Sequence, residues 1–201
     1  MRSDHNASAE PRPLIIGVGG TTRDDSSSER AVRAVLREAA AVGADTEMFG
    51  AARIEFPMYA PERPGRVPAA VTFVEAVRRA DGLVIASPGY HGGLSGLVKN
   101  ALDYIEDLRA DERPYLDGRA VGCVACAYGW QATTTTLVSL RSVVHALRGW
   151  PTPLGIAMNS ANRVFAEDGS IADEAVAAQT RLLATQVVRF ARLHAAAGSE
   201  S

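Results

Sequence analysis

The 201-residue sequence is poor in lysine, cysteine and long apolar runs. Lys99 is the only lysine, so any lysine-dependent chemistry would have to use that one position. Cys123 and Cys126 are too few for the disulfide framework of a small secreted domain. No apolar run reaches the ~18 residues that a membrane-spanning helix needs, and the first residues lead into no apolar signal core. We therefore expect a soluble cytoplasmic protein.

Charge of one sign is also lacking, because the net charge is −2. Binding to nucleic acid or to an anionic membrane surface usually depends on a strongly basic surface, so we expect neither partner. With 47% hydrophobic and 22% charged residues, the chain is also unlike disordered, collagenous or coiled-coil proteins. The length suits about one domain. A site for a small molecule is the remaining expectation.

Apolar runs of strand length alternate with amphipathic helical patterns along the chain. The runs cover residues 14–18, 47–50, 83–86, 120–127 and 154–158. The helical patterns begin near Ser28, Pro68, Leu94 and Leu137, and a last one follows Ser170-x-x-Asp173, which resembles a capping box. Such alternation predicts an α/β fold with one doubly wound parallel sheet and helices on both faces. We expect a single domain over residues 13–194, flexible tails at 1–12 and 195–201, and a long loop at 56–68.

The loop after the first strand is rich in hydroxyl groups. It is not a G-x-G-x-x-G dinucleotide motif, because Thr22 replaces the last glycine, and it has no lysine for a Walker motif. Arg23, short hydroxyls and the free N–H groups of a helix start would together hold a phosphate monoester. The hydroxyls belong to Thr21, Thr22, Ser26, Ser27 and Ser28. A polar loop with a serine N-cap is the alternative. Asp24 and Asp25 are expected to face solvent.

The loop after the third strand is rich in glycine and carries two aromatic rings. Its residues are Pro88, Gly89, Tyr90, His91, Gly92 and Gly93. Glycines let a backbone approach a flat ligand closely, and Tyr90 and His91 could lie against its ring. The alternative is a glycine-rich turn in which the tyrosine only packs.

Together these two loops resemble the NADPH-dependent FMN reductase family, related to azo- and quinone reductases, over roughly residues 13–190. The matching residues are Gly20-Thr21-Thr22-Arg23-x-x-Ser26-x-Ser28, then Ser87-Pro88-x-Tyr90, then Ser95-Gly96-x-Val98-Lys99-Asn100-Ala101-Leu102-Asp103. The resemblance implies a flavodoxin-like, five-stranded sheet of order 2-1-3-4-5, with FMN bound where the strand order reverses. It also implies that NADPH or NADH is the reductant.

The resemblance also assigns residues to the cofactor. Thr21, Arg23, Ser26 and Ser28 match the phosphate-binding positions. Pro88, Gly89, Tyr90 and His91 match the turn against the isoalloxazine, with Gly92 beside them, and His91 could act as a proton donor. After the fourth strand the family usually has a glycine run, whereas this chain has Tyr128, Gly129 and Trp130. Those residues either line the flavin pocket or serve a different acceptor.

The implied activity is hydride transfer from NAD(P)H to FMN by a ping-pong mechanism, with reduced flavin supplied to a flavin-dependent monooxygenase. The first alternative is an FMN-bound reductase of a small-molecule electron acceptor, namely a quinone, an azo or nitro compound, or a metal oxyanion. The second is a flavodoxin-type electron carrier, although such carriers are typically strongly acidic. The family usually forms homodimers or homotetramers, and we expect an oligomer here.

Three further sets of residues invite interpretation. Residues three apart on a strand face opposite sides of the sheet, so Cys123 and Cys126 are expected to be separate core residues, and we predict no metal site. Tyr59, Arg63 and Arg66 could border the open face of the flavin, where an arginine could meet the 2′-phosphate of NADPH; solvated surface arginines are the alternative. Lys99 and Asp103 are expected to serve the fold or a subunit contact.

Overall fold

A computed structural model describes residues 12–198 of the chain. Its strands are β1 (Leu14–Gly19), β2 (Asp45–Phe49), β3 (Gly82–Tyr90), β4 (Gly93–Leu94), β5 (Ala120–Ala127), β6 (Trp150–Pro151) and β7 (Ile156–Asn159). Its helices are α1 (Ser27–Ala41), α2 (Ala51–Ile54), α3 (Pro68–Arg79), α4 (Gly96–Asp103), α5 (Trp130–Ala146) and α6 (Glu174–Gly198), with a short 3-10 helix at Tyr104–Leu108. Residues 1–11 and 199–201 of the two expected tails lie outside the described residues.

The sheet has the strand order β2-β1-β3-β5-β6, which confirms the predicted flavodoxin-like order 2-1-3-4-5. The last position is divided between two short strands, since β6 and β7 both pair with β5 in parallel. Pro151 ends β6 and Pro153 follows it, and neither has the N–H group that a continuous hydrogen-bond ladder would need. The sequence analysis predicted one strand at residues 154–158 and missed β6.

Two hydrophobic cores cover the two faces of the sheet. One packs α3, α4 and α5 against it and the other packs α1 and α6. Cys123 belongs to the first core and Cys126 to the second, as the period of two along a strand predicts. Both thiols are buried, and this burial raises the pKa of each to about 12. The prediction that they are separate core residues is therefore confirmed.

Several element boundaries differ from the sequence prediction. The third strand continues to Tyr90, beyond its apolar run, because it pairs with both β5 and the short β4. Helix α5 begins at Trp130, seven residues before the predicted start at Leu137. Thr133 and Thr135 lie inside this helix, and their hydroxyls donate to carbonyls one turn back. A threonine in a helix can make this bond, so α5 accommodates both residues near its start.

The last helix also starts and ends differently from the prediction. Its N-cap is Asp173, whose carboxylate accepts from the backbone N–H groups of Ala175 and Val176 at 2.9 and 3.1 Å. Ser170 instead bonds to Asp168 in the preceding turn. The helix continues through residues 195–198, which we had assigned to the tail, because the three alanines there are strong helix formers.

Within residues 12–198, no helix is long and apolar enough to cross a membrane.

Candidate functional site

The loops that the sequence analysis singled out meet at one edge of the sheet. Strands β1, β3, β5 and β7 run parallel and end at Gly19, Tyr90, Ala127 and Asn159. The segments that follow them therefore lie side by side at the carboxyl edge. In doubly wound sheets this edge is the place where ligands bind.

A cavity of about 500 Å³ lies between the segments after β3 and β5. Five of the predicted site residues line it, namely His91, Gly92, Tyr128, Gly129 and Trp130. Gln131, Ala132 and Thr135, which lie outside the predicted set of cofactor-binding residues, complete the lining. The aromatic side chains here are unusually open, because Tyr128 is 83%, Trp130 60% and the adjacent Tyr90 53% exposed. Rings left bare beside a cavity can stack on a flat ligand.

The segment after β3 is a tight hairpin. Pro88 and Gly89 are part of the strand itself, so only the residues from Tyr90 to Gly93 form the turn. The pairing of β3 with β1 ends at Ala86, so that ladder needs no N–H group at Pro88 and a proline is tolerated there. At the turn His91 and Gly92 have φ angles of 53° and 82°. The sequence analysis placed Gly89 in the turn, whereas the structure places it in β3.

A buried hydroxyl fixes this hairpin from below. Ser87 is fully buried, and its Oγ accepts from the backbone N–H of Ser95 at 3.0 Å. The same hydroxyl donates to the Pro88 carbonyl at 2.9 Å. Ser95 in turn caps α4 by accepting from the Val98 N–H at 3.2 Å. This chain of bonds holds the turn against the start of α4.

The segment after β5 is fixed from its buried side. Gly129 has a φ angle of 102°, which a residue with a side chain rarely adopts. Its N–H donates to the side-chain oxygen of Asn159 at 3.0 Å. A Cβ on Gly129 would meet no atom within 4 Å, so the space in front of this residue is open.

The segment after β1 places its predicted ligands at two depths. Ser26 and Ser28 are buried, and their hydroxyl oxygens lie 3.3 Å apart. Ser26 is the N-cap of α1 and accepts from the Glu29 N–H at 3.4 Å. The Thr21 hydroxyl is used within its own turn, where it bonds to the backbone of Arg23. The serine N-cap is therefore real, and the structure places it in the segment expected to bind phosphate.

The charged residues of this segment differ in how they are engaged. Arg23 is exposed, and within residues 12–198 its guanidinium has no ion-pair or hydrogen-bond partner. Asp24 is exposed as expected, whereas Asp25 is exposed but paired with Arg30. This hydrogen bond with Arg30 lowers the pKa of Asp25. Ser27 lies beside Arg30 in a separate cavity of about 180 Å³, and no residue of the segment after β1 lines the cavity between the β3 and β5 segments.

Of the two arginines that could border the open face, Arg66 is already paired with another side chain. Its guanidinium donates to both carboxylate oxygens of Asp107, at 2.7 and 2.8 Å. It also lies over the ring of Tyr59, with its central carbon 4.7 Å from the ring centroid. Arg63 is exposed, as a solvated surface arginine would be.

Asn100 fastens the same loop at a second point, which the sequence analysis did not foresee. Its side-chain nitrogen donates to the carbonyls of Phe56 and Pro57, and its oxygen accepts from the Tyr59 N–H at 2.8 Å. Lys99 and Asp103, next to it on α4, form an exposed ion pair with each other. Ser87 and Asn100 belong to the motifs quoted above, but their contacts with other segments could not be predicted from those motifs. Asn159 lies in no such motif, and its contact with Gly129 spans 30 residues.

Comparison with known proteins identifies similar sequences. The family model described as NADPH-dependent FMN reductase matches residues 13–163. An FMN-dependent NADPH-azoreductase from Staphylococcus haemolyticus (strain JCSC1435) is 32% identical over 120 residues, which make up 59% of this chain and 60% of that protein. One of the same description from Staphylococcus aureus (strain USA300) is 32% identical over 118 residues, 58% of this chain and 59% of its own. The chain thus matches about three fifths of the length of these relatives.

Solved structures share the fold at lower sequence identity. FerB, a flavoenzyme NAD(P)H:(acceptor) oxidoreductase from Paracoccus denitrificans, superposes with a TM-score of 0.74 at 17% identity, covering 90% of this chain and 98% of that one. An NADH:FMN oxidoreductase in its apo form gives a TM-score of 0.66 at 20% identity, covering 89% and 88%. At such identities the likeness shows the fold alone.

Proposed function

The chain belongs to the NADPH-dependent FMN reductase family, and on that basis we propose that it is an NAD(P)H-dependent flavin oxidoreductase that binds FMN at the carboxyl edge of its sheet. The observation that carries the proposal is the position of the cavity between the β3 and β5 segments. The rings beside it are exposed, and an arginine without a partner lies in the neighbouring segment after β1. The two ends suit an aromatic ring system and a phosphate.

The residues present fit FMN. Tyr90, Tyr128 and Trp130 offer ring faces, and the open space before Gly129 lets a planar group approach the backbone. At the other end, the first N–H groups of α1, at Ser27 and Ser28, have no acceptor within the described chain. A phosphate dianion near this helix terminus would satisfy those donors and the Arg23 guanidinium.

The proposed site residues divide between the phosphate and the ring of FMN. Arg23 and the N–H groups at the start of α1 would hold the phosphate, with the hydroxyls of Thr21, Ser26, Ser27 and Ser28 beside them. Pro88 and Gly89 at the end of β3, the turn residues Tyr90, His91 and Gly92, and the segment at Tyr128, Gly129 and Trp130 would hold the ring. When bound, FMN supplies hydride chemistry, taking a hydride from NAD(P)H and passing electrons to an acceptor. His91, exposed at the cavity, is our candidate for delivering a proton there.

The substrates and partners form the second half of the proposal. One open face bordered by Tyr128 and Trp130 would serve NAD(P)H and the acceptor in turn, which is a ping-pong sequence. One acceptor would be free FMN, which after reduction would leave and supply a monooxygenase. The other acceptor would be an azo compound, because the curated relatives are named azoreductases. We also propose a homo-oligomer located in the cytoplasm, where NAD(P)H is available.

The direct test is optical titration of the purified protein with FMN, followed by anaerobic addition of NADPH. We expect the flavin absorption band to appear with the protein after gel filtration and to bleach when NADPH is added. A protein that cannot retain or reduce FMN would contradict the proposal. Steady-state assays with free FMN, riboflavin, a quinone and an azo dye then separate the acceptors, since a protein that reduces the dye but not added flavin does not supply flavin. Failure to oxidise NADPH with any acceptor, despite bound FMN, would indicate an electron carrier.

A further inference from the structure

Asn159 ends β7 and connects two segments of the site's edge. Its side chain is only 8% exposed. One and the same oxygen, Oδ1, accepts from the N–H of Gly129 at 3.0 Å and from the N–H of Ala161 at 3.0 Å. The segment after β5 is thereby tied to the segment after β7 through a single buried acceptor. No other described side chain bonds to the N–H of Gly129.

The bond to Gly129 determines which way the adjoining peptide faces. In a trans peptide the carbonyl and the N–H point in opposite directions, and the described chain contains no cis peptide bond. Because the Gly129 N–H points at Asn159, the Tyr128 carbonyl must point away from it. That carbonyl accepts no hydrogen bond from the described residues. The segment therefore offers its surroundings an acceptor and withholds a donor.

The neighbouring peptides are held by bonds from Ser160 to the Ala127 carbonyl and from Thr133 to the Gly129 carbonyl, whereas the bond to Asn159 is the only one that the described residues give the Tyr128–Gly129 peptide itself. Gly129 has a positive φ angle and open space where a Cβ would be, and the Tyr128 and Trp130 side chains on either side are mostly exposed. A glycine that lacks side-chain packing can adopt many backbone conformations at little cost. Without the bond to Asn159, this one peptide could turn between its two fixed neighbours, and the orientation of the two rings would change with it.

We propose that Asn159 is a positioning residue for the flavin ring: its amide oxygen fixes the Tyr128–Gly129 peptide and so sets the faces that Tyr128 and Trp130 present to the ring. This inference rests on the proposed function, because it concerns binding of the same FMN. Asn159 touches only the protein and acts through Gly129. Its effect should fall on the ring end of the ligand and leave the phosphate end unchanged.

The test compares variants that remove or retain the acceptor. Asn159→Ala and the similarly sized Asn159→Leu lose it, whereas Asn159→Asp keeps two carboxylate oxygens that can accept both N–H groups. Asn162→Ala is the matched control, because Asn162 is exposed on the same segment. For each variant the affinities for FMN and riboflavin are measured by quenching of flavin fluorescence. Exchange rates of the Gly129 and Ala161 amide protons are measured by NMR without flavin, and thermal unfolding is recorded in parallel.

We expect Asn159→Leu and Asn159→Ala to weaken FMN and riboflavin alike, by about tenfold, and to speed exchange of both amide protons. Asn159→Asp should restore both properties, and Asn162→Ala should change neither. Unchanged flavin affinity in a folded Leu or Ala variant would overturn the positioning role, as would unchanged amide exchange or a loss confined to FMN. If the wild-type protein bound neither flavin, the proposed function itself would be wrong. If the wild type bound flavin and the Asn159 variants bound it equally well, only the positioning role would be wrong.

Discussion

The segment after β1 and the loop after α2 both carry arginines that the sequence offers as phosphate ligands, yet the fold uses them differently. Arg66 in the loop is held by two bonds to Asp107, donates to the carbonyls of Ala60 and Arg63, and lies over the Tyr59 ring, so most of its N–H groups are engaged within the protein. Arg23 in the other segment is exposed and unpaired within the described chain. Both residues are arginines, and both lie in loops. What separates them is a carboxylate on a distant helix, so availability for a ligand is a property of the fold.

The largest expected effect comes from breaking the ion pair between Arg66 and Asp107, which holds the loop at residues 56–68. Asp107→Asn removes the charge that holds Arg66 and should lower the free energy of unfolding by about 2 kcal/mol, because this partly buried pair has two charge-assisted hydrogen bonds. FMN affinity should stay within about twofold. Chemical denaturation and flavin titration measure the two quantities. Asp103→Asn is the control, since the exposed pair of Asp103 with Lys99 should contribute about 0.5 kcal/mol or less. A strong loss of FMN affinity in Asp107→Asn would mean that this loop belongs to the site.

Substitution in the segment after β1 should have the opposite pattern, with a loss of FMN affinity and little change in stability. Arg23→Ala should weaken FMN about tenfold, equivalent to about 1.4 kcal/mol, because a guanidinium bonded to a phosphate is lost. Riboflavin lacks the phosphate, so its affinity should not change. The free energy of unfolding should stay within about 0.5 kcal/mol, since Arg23 has no partner to lose. Arg63→Ala serves as the control for removing an exposed arginine. Equal losses for FMN and riboflavin would argue against a phosphate contact at Arg23.

Ser26 lies between these two cases, because it serves the fold and the proposed ligand together. Ser26→Ala removes the N-cap of α1 and should cost about 1 kcal/mol of unfolding free energy. It should also weaken FMN more than riboflavin. Thr22→Ala, in the exposed part of the same segment, is the control for stability. If Ser26→Ala left stability unchanged, the capping bond to Glu29 would be unimportant in solution.

The smallest expected effect is the pH dependence of the stability that the Asp107–Arg66 pair contributes. The hydrogen bond with Arg66 lowers the pKa of Asp107 below its ordinary value of 3.8, in spite of the opposing effect of burial. A carboxyl group with a lowered folded-state pKa stabilises the fold at pH values above 3.8 and loses this contribution as the pH falls through the folded-state pKa. The stability difference between wild type and Asp107→Asn should therefore shrink in acid, by about 1 kcal/mol or less. Unfolding curves at several acidic pH values measure it, and a constant difference would contradict the assignment.

The sheet and most helices were accessible from the sequence because they depend on local patterns. Buried strands such as β1 and β5 are continuous apolar runs, and the stripe that begins near Leu94 forms α4 and the 3-10 helix after it. Short elements were missed, because β4 and β6 exist only through pairing with β3 and β5. The same limit applied to the site. The glycines and exposed rings could be read from motifs, whereas the contact of Asn159 spans 30 residues.

The placement of Cys126 has a consequence for an enzyme of the proposed kind. Its strand register sets it opposite Pro88, directly behind the proposed ring-binding turn. Reduced flavins that meet oxygen generate peroxide, and thiolates are the form of cysteine that peroxide attacks. With a pKa of about 12, this thiol stays protonated at neutral pH, and the core shields it from solvent. Burial and protonation would thereby protect this thiol from peroxide formed at the proposed site.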